Sequence, residues 1–321
     1  MTNIMRWSEP ILDTNESDHG QSQLPPQHFQ TVRTPSIKNH SVTHYNNHLF
    51  CFGGYDGRRN HMSLMIYSIH EHQWKSVRAG GTPPPGRNGH TATLTFSRDG
   101  SPRIIIIGGW LGAGPLAADD THVLDVNDGL NNLRWFQPPV QGTPPGPCNM
   151  HSADYVGDHR REVYVFRGGN GRAYLNDLHA LNVDTYKWRK VNSSGKPPQQ
   201  RANHASAVLE ETSELFIFGG WNGKERLNDI HILDTKTSVW SAPRIFGEPP
   251  HPRAGMTLTA SRGRLFLFGG SGTSSKCFHD LQIFDRKEMV SSHENHCFKH
   301  FCIEFNQFYS TKIVLVECDN T

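Results

Sequence analysis

Histidine and cysteine are the residues of this chain best suited to chemistry: there are 20 His and 6 Cys among 321 residues. Five of them crowd together near the C-terminus as His293, His296, Cys297, His300 and Cys302, ligand types that suit zinc. Their spacing fits no finger pattern, and a structural zinc site needs four ligands held on a turn, so no metal is expected there. Most other histidines recur. His40, His90, His151 and His204 open one series of similar segments, and His122, His179 and His231 return in a second series. A catalytic base is needed once, whereas a group that returns at regular intervals reads as structural. The chain also lacks a Gly-rich phosphate loop, an HExxH helix motif and a GxSxG elbow. The expectation is no catalytic residue and no cofactor.

Recognition chemistry is the other possibility. Aromatic and basic residues follow a recurrent Gly-Gly pair: Tyr55, Arg58, Arg59 and His61 after the first, Trp110 after the second, Arg172 and Tyr174 after the third, and Trp221, Lys224 and Arg226 after the fourth. Aromatics mixed with arginine have the composition of an interaction hot spot. Packing of Trp110 and Trp221 under their own turns is the competing explanation. Arg167 stands immediately before the third Gly pair, where it could meet a carboxylate or reach solvent.

Short strands must position these residues. A Gly-Gly pair preceded by an apolar run occurs as LFCFGG, RIIIIGG, VYVFRGG, LFIFGG and LFLFGG, with its first glycine at 53, 108, 168, 219 and 269. Three other signals keep step with it. Alternating runs such as HSVTHY and HTATLTF precede the glycines, as expected of half-buried strands. A third apolar run (LMIYSI, THVLDV, LHALNV, IHILDT, LQIFDR) follows the turn, and a fourth opens with Trp74, Trp135, Trp188 or Trp240. Loops of the form Gly-x-x-Pro-Pro…Arg-x-x-His join the units, and their prolines end each sheet. A period of about 50 residues with these features resembles the kelch-repeat family over residues 39–286. The resemblance implies an all-β, kelch-type β-propeller of four-stranded antiparallel blades, with units near 39–78, 88–140, 149–193, 202–244 and 254–290. It also implies a protein-binding role, and a tryptophan set that fills the spaces between blades.

Departures from the repeat locate what is particular to this chain. The second unit carries long insertions around Trp110–Asp119 and Asp128–Asn132, which make its loops candidates for binding. The third replaces the linker arginine by Cys148. The fifth has Val290 where a tryptophan is expected, and residues 291–321 read as a non-kelch tail of the kind that read-through past a splice donor would encode. Trp7-Ser8-Glu9-Pro10 resembles Trp240-Ser241-Ala242-Pro243, so residues 1–10 are expected as an outer strand latching the last blade, with 11–38 as linker. Five repeats are recognisable, and an incomplete six-bladed ring is the expectation.

A net charge of +2 supplies no general attraction to nucleic acid or anionic membrane, and no apolar run approaches the roughly 20 residues that span a bilayer. Without a signal-like N-terminus, a soluble cytoplasmic chain is expected, the nucleus being the other compartment allowed. Residues 1–38 are too short and polar for a BTB or F-box segment. The expected partner is a protein or peptide (a ubiquitin-ligase component, a trafficking protein or actin), bound on the loop face through Tyr55, Arg58, Arg59, Trp110, Arg167, Arg172, Tyr174, Trp221, Lys224 and Arg226. The alternative is a metal-dependent enzyme at the channel mouth, which requires convergent carboxylates or histidines from different blades.

Overall fold

The computed structural model describes residues 30–31 and 36–293, apart from 113–115, 118–119, 158–159, 248 and 288–289. The latch expected from residues 1–10 and the tail ligands His296, Cys297, His300 and Cys302 lie outside the described residues.

Each alternating run forms an innermost strand A: Ser41–Tyr45, Thr91–Phe96, Ser152–Val156, Ala205–Leu209 and Thr257–Ser261. The apolar run before the glycines returns as strand B, the next as strand C, and the tryptophan run as strand D. Pairing between consecutive strands is antiparallel throughout, in register Ala205↔Phe218, Phe216↔Ile232 and Leu233↔Trp240 in the fourth blade. Five such sheets make the propeller. Each sheet has five strands rather than the expected four, because a two-residue strand from the preceding linker adds to the outer edge. In blades two to five this strand is Gly80–Gly81, Gln141–Gly142, Ser194–Gly195 and Phe246–Gly247, parallel to strand D. In blade one Gln30–Thr31 takes the place and runs antiparallel. The linker glycine is required there: at Gly81, where φ is +79°, an added Cβ would collide with the carbonyl oxygen of Trp135.

Strand D of the fifth blade runs past residue 290. Val290–His293 pairs with Leu281–Asp285, and Ser291, not Val290, stands opposite Phe284 at the register position held elsewhere by tryptophan. Backbone pairing needs no particular side chain, so the strand forms where the tryptophan is missing.

Packing lies between blades. Phe50, Phe52 and Ile66 of blade one meet Ile104, Leu124 and Trp135 of blade two, and equivalent clusters join two to three, three to four and four to five. Trp135, Trp188 and Trp240 are buried on the face toward the preceding blade, where Phe52 lies 5.3 Å from Trp135 and Phe166 lies 6.0 Å from Trp240. Around the axis runs a hydrogen-bonded belt. The N–H groups of Gly89, Met150, Asn203 and Gly255 donate to the carbonyls of Asn39, Gly89, Met150 and Asn203 at 2.8–2.9 Å. All five belt residues have positive φ, a conformation that suits Gly and Asn and is strained for Met150. Inside the belt, hydroxyls of one blade meet imidazoles of the next: Ser41 with His90 at 2.8 Å, Thr91 with His151 at 3.0 Å, and Ser152 with His204 at 3.0 Å. His90, His151 and His204 are therefore joints between blades.

Candidate protein-interaction face

All turns that join strand B to strand C emerge on the face that also carries the interblade linkers, so the residues after each glycine pair share one rim. Successive turns touch. Asn60 Nδ2 of blade one donates to the Trp110 carbonyl of blade two at 2.8 Å. An added Cβ at Gly171 of blade three would sit 3.6 Å from Leu116 of blade two, and one at Gly223 of blade four would sit 3.0 Å from the Tyr174 ring of blade three. The four turns form an arc.

Within the arc, Tyr55 is half-buried, bridges to Lys38 and Asn60, and donates its hydroxyl to the Gly57 carbonyl at 2.8 Å. Arg58 and Arg59 are exposed, their backbone N–H groups capped by Asp56 Oδ1 at 2.8 Å each. These two bonds and the His61 imidazole hold the Asp56 carboxyl well below the usual carboxylate range. Trp110 is 41 % exposed. Arg172 and Lys224 are exposed on turns capped by Asn170 and Asn222. Tyr174 is half-buried. Trp221 is also half-buried, with the Arg226 guanidinium 5.5 Å above its ring, so of the two tryptophans Trp110 presents the greater surface. Met62, 55 % exposed on the blade-one turn, carried no signal in the sequence because its neighbours do not recur in the other units.

Arg167 has a different role from the other nine. Its Nη1 lies 3.0 Å from Asp177 Oδ2, and its Nη2 donates to the Pro147 carbonyl. In blades two, four and five the equivalent aspartate is clamped by the linker arginine: Arg87–Asp120, Arg201–Asp229 and Arg253–Asp280 at 2.6–2.7 Å, with all three guanidinium groups fully buried. Each of these arginines also donates to the carbonyl of its blade's first glycine, Gly108, Gly219 or Gly269. Blade three has Cys148 in place of the arginine. The pairing Ser152↔Phe166 beside Ala205↔Phe218 puts Arg167 at the position of the first glycine, outside the left-handed region that glycine occupies. A guanidinium lost from the linker is thus supplied by the strand end. Burial alone would raise Asp177, but the His179 and Arg167 hydrogen bonds hold its pKa down to about 2.

The second histidine series completes these clamps. His122 lies 3.4 Å from Asp120, and His179 and His231 lie 2.9 Å from Asp177 and Asp229. In blade five Gln282 donates to Asp280 at 2.9 Å. Aspartate–histidine pairs resemble parts of a catalytic triad, yet here they repeat blade by blade around an arginine, and glutamine does the same work. No group of three or more His, Cys, Asp or Glu side chains arranged for a metal occurs among the described residues. The axial channel holds a cavity of about 70 Å³ lined by belt residues and the strand-A histidines or their neighbours.

A family model described as the KLHDC2/KLHL20/DRC7 Kelch-repeats domain matches residues 95–295, and a Kelch motif model matches 37–79. This chain belongs to the kelch-repeat family. Kelch propellers are generally protein-interaction modules rather than enzymes. The kelch chain is 27 % identical over 270 residues to Kelch domain-containing protein 3 of Bos taurus, covering 78 % of this chain and 68 % of that one. It is 31 % identical over 208 residues to Rab9 effector protein with kelch motifs of Xenopus laevis, 63 % of this chain and 54 % of that one. Acyl-CoA-binding domain-containing protein 4 of Arabidopsis thaliana is 26 % identical over 273 residues, 83 % of this chain but 38 % of the relative. The kelch chain thus spans well under half of that plant relative and about half of the frog one. No helix among the described residues is long and apolar enough to cross a membrane.

Proposed function

We propose that this propeller is a recognition module that takes a protein partner on the arc of loops from blades one to four. The observation that supports it is the continuity of that arc: consecutive turns in contact, with exposed Trp110 and exposed, unclamped Arg58, Arg172 and Lys224, on a scaffold whose buried charges are already satisfied. Rigid blades presenting several loops to one side suit capture of a partner with little rearrangement. The name of the Xenopus relative, a Rab9 effector, makes a trafficking protein the first partner to test, ahead of a ubiquitin-ligase component or actin, and the cytoplasm is the compartment we propose for that encounter.

Affinity capture with the chain carrying Arg58→Ala, Trp110→Ala, Arg172→Ala and Trp221→Ala tests the placement. Loss of partners held by the unaltered chain, with an unchanged melting profile, is expected. Full recovery would move the binding surface to the opposite face.

A further inference from the structure

The seam between blade five and blade one is built differently from the other seams of the ring. We propose that residues 298–316, which carry no kelch feature, fill it in place of a further blade.

From blade one to blade five, each seam is closed by a belt hydrogen bond, a contact between strands A and an apolar cluster. Where blade five has lost the histidine, Ala205 and Met256 share an apolar cluster instead. The seam from blade five back to blade one has none of these among the described residues. The Asn39 N–H makes no bond to the Gly255 carbonyl. Thr257 and His40, the pair equivalent to Ser41 and His90, are not hydrogen-bonded to each other, and no described cluster contains residues of both blades. Blades five and one do not meet as their neighbours do.

Both faces of this seam are nevertheless apolar. Side chains alternate along a strand, so with Phe50, Phe52, Leu64 and Ile66 turned to blade two, Cys51, Met65 and Tyr67 are turned to the seam. In blade five Leu265, Leu267 and Phe284 face blade four, which turns Phe266, Phe268 and Ile283 to the seam. Cys51, Met65, Tyr67 and Ile283 are only 3–5 % exposed, yet they belong to none of the described interblade clusters. A sheet face bordered by water would expose such side chains, so chain outside the described residues covers them.

Composition selects the segment. Residues 1–29 hold no more than two consecutive hydrophobic residues, whereas residues 298–316 hold the alternating Phe301, Ile303 and Phe305 and the run IVLV at 313–316. Alternation gives one apolar face, and a continuous apolar run suits burial on both sides, as between two blades. The segment begins five positions after His293, where strand D of blade five ends, and beyond the kelch match, which stops at residue 295.

Alkylation of the full chain by iodoacetamide, followed by mass spectrometry, tests this, because Cys51 lies in the seam while Cys148 is buried between blades two and three. In the triple variant Phe301→Asp, Ile303→Asp, Phe305→Asp, Cys51 should react at least about tenfold faster while Cys148 stays protected. If Cys148 also reacts, the fold has been lost, and the milder pair Phe301→Ala, Ile303→Ala should move Cys51 in the same direction alone. Cys51 protection unchanged in the folded variants overturns the proposal. Protection lost instead through Ile4→Asp, Trp7→Asp and Ile11→Asp gives the seam to the N-terminal residues, and protection lost on dilution of the unaltered chain gives it to a second copy; either result removes the C-terminal segment.

Discussion

The loop face holds two populations of cationic side chain. Arg87, Arg201 and Arg253 are fully buried, each with two guanidinium nitrogens on one aspartate and a third hydrogen bond to a glycine carbonyl. Arg58, Arg172 and Lys224 stand on turns above them, exposed and without an ion pair among the described residues. Residue type does not separate the two sets. What separates them is whether a strand-end aspartate of the same blade holds the guanidinium: where it does, the charge fastens loop to strand; where it does not, the charge stays exposed on the turn. Arg167 shows that reach matters more than sequence position, since it does the work of a linker arginine from the end of a strand.

The comparison breaks most visibly if a clamp is removed. Arg201→Ala takes a fully buried guanidinium away from Asp229, whose own side chain is 39 % exposed, and is expected to destabilise the chain by about 1–3 kcal/mol in urea unfolding. A loss under about 1 kcal/mol would place the clamps with surface ion pairs instead. Acid is the next probe, because it separates the clamps from a buried histidine of the inner strands. Burial pulls the His40 pKa down from 6.5 to about 4, so between those values the unfolded chain binds a proton that the folded chain refuses. Stability, complete above about pH 6.5, should fall by up to about 3 kcal/mol as the pH drops toward 4. The clamp carboxylates Asp177 and Asp280, held at about 2, lose their contribution only as the pH falls from about 3.8 through about 2. A denaturation midpoint flat from pH 7 to pH 4.5 would contradict the histidine part.

Blade three sharpens the comparison further. Arg167→Gly should cost about 1–3 kcal/mol by leaving Asp177 with His179 but no guanidinium, and adding Cys148→Arg should recover part of that loss, because it restores the arrangement of the neighbouring blades. No recovery in the double variant would show that the two positions are not coupled. The smallest effect belongs to the rim: Arg58→Ala and Lys224→Ala should change unfolding free energy by no more than about 0.5 kcal/mol while weakening partner binding. A rim variant that melts early would belong with the clamps.

Much of this was legible in the sequence. Glycine pairs, alternating runs and tryptophans at a common period identify blades because each blade solves the same packing problem. Repetition also separated the structural histidines from a catalytic one. Other features could not be read. The outer linker strand has only two residues and no pattern of its own, and its sign is the glycine whose Cβ would strike the Trp135 carbonyl. Ser291 in a tryptophan position looks like an end of homology, yet the backbone pairs through it. Arg167 reads as an intrusion beside a glycine pair, and its register with Phe166 and Ser152 is needed to see that it replaces the first glycine.

By itself the sequence determined the repeat, the strand order and the residues that bury between blades, since local periodicity and hydrophobicity dictate them. Tertiary structure alone decided which charges are partnered. A net charge of +2 conceals a face on which Asp120, Asp177, Asp229 and Asp280 are clamped while Arg58, Arg172 and Lys224 have no ion pair among the described residues, because pairing depends on distances across a blade between residues up to 33 positions apart.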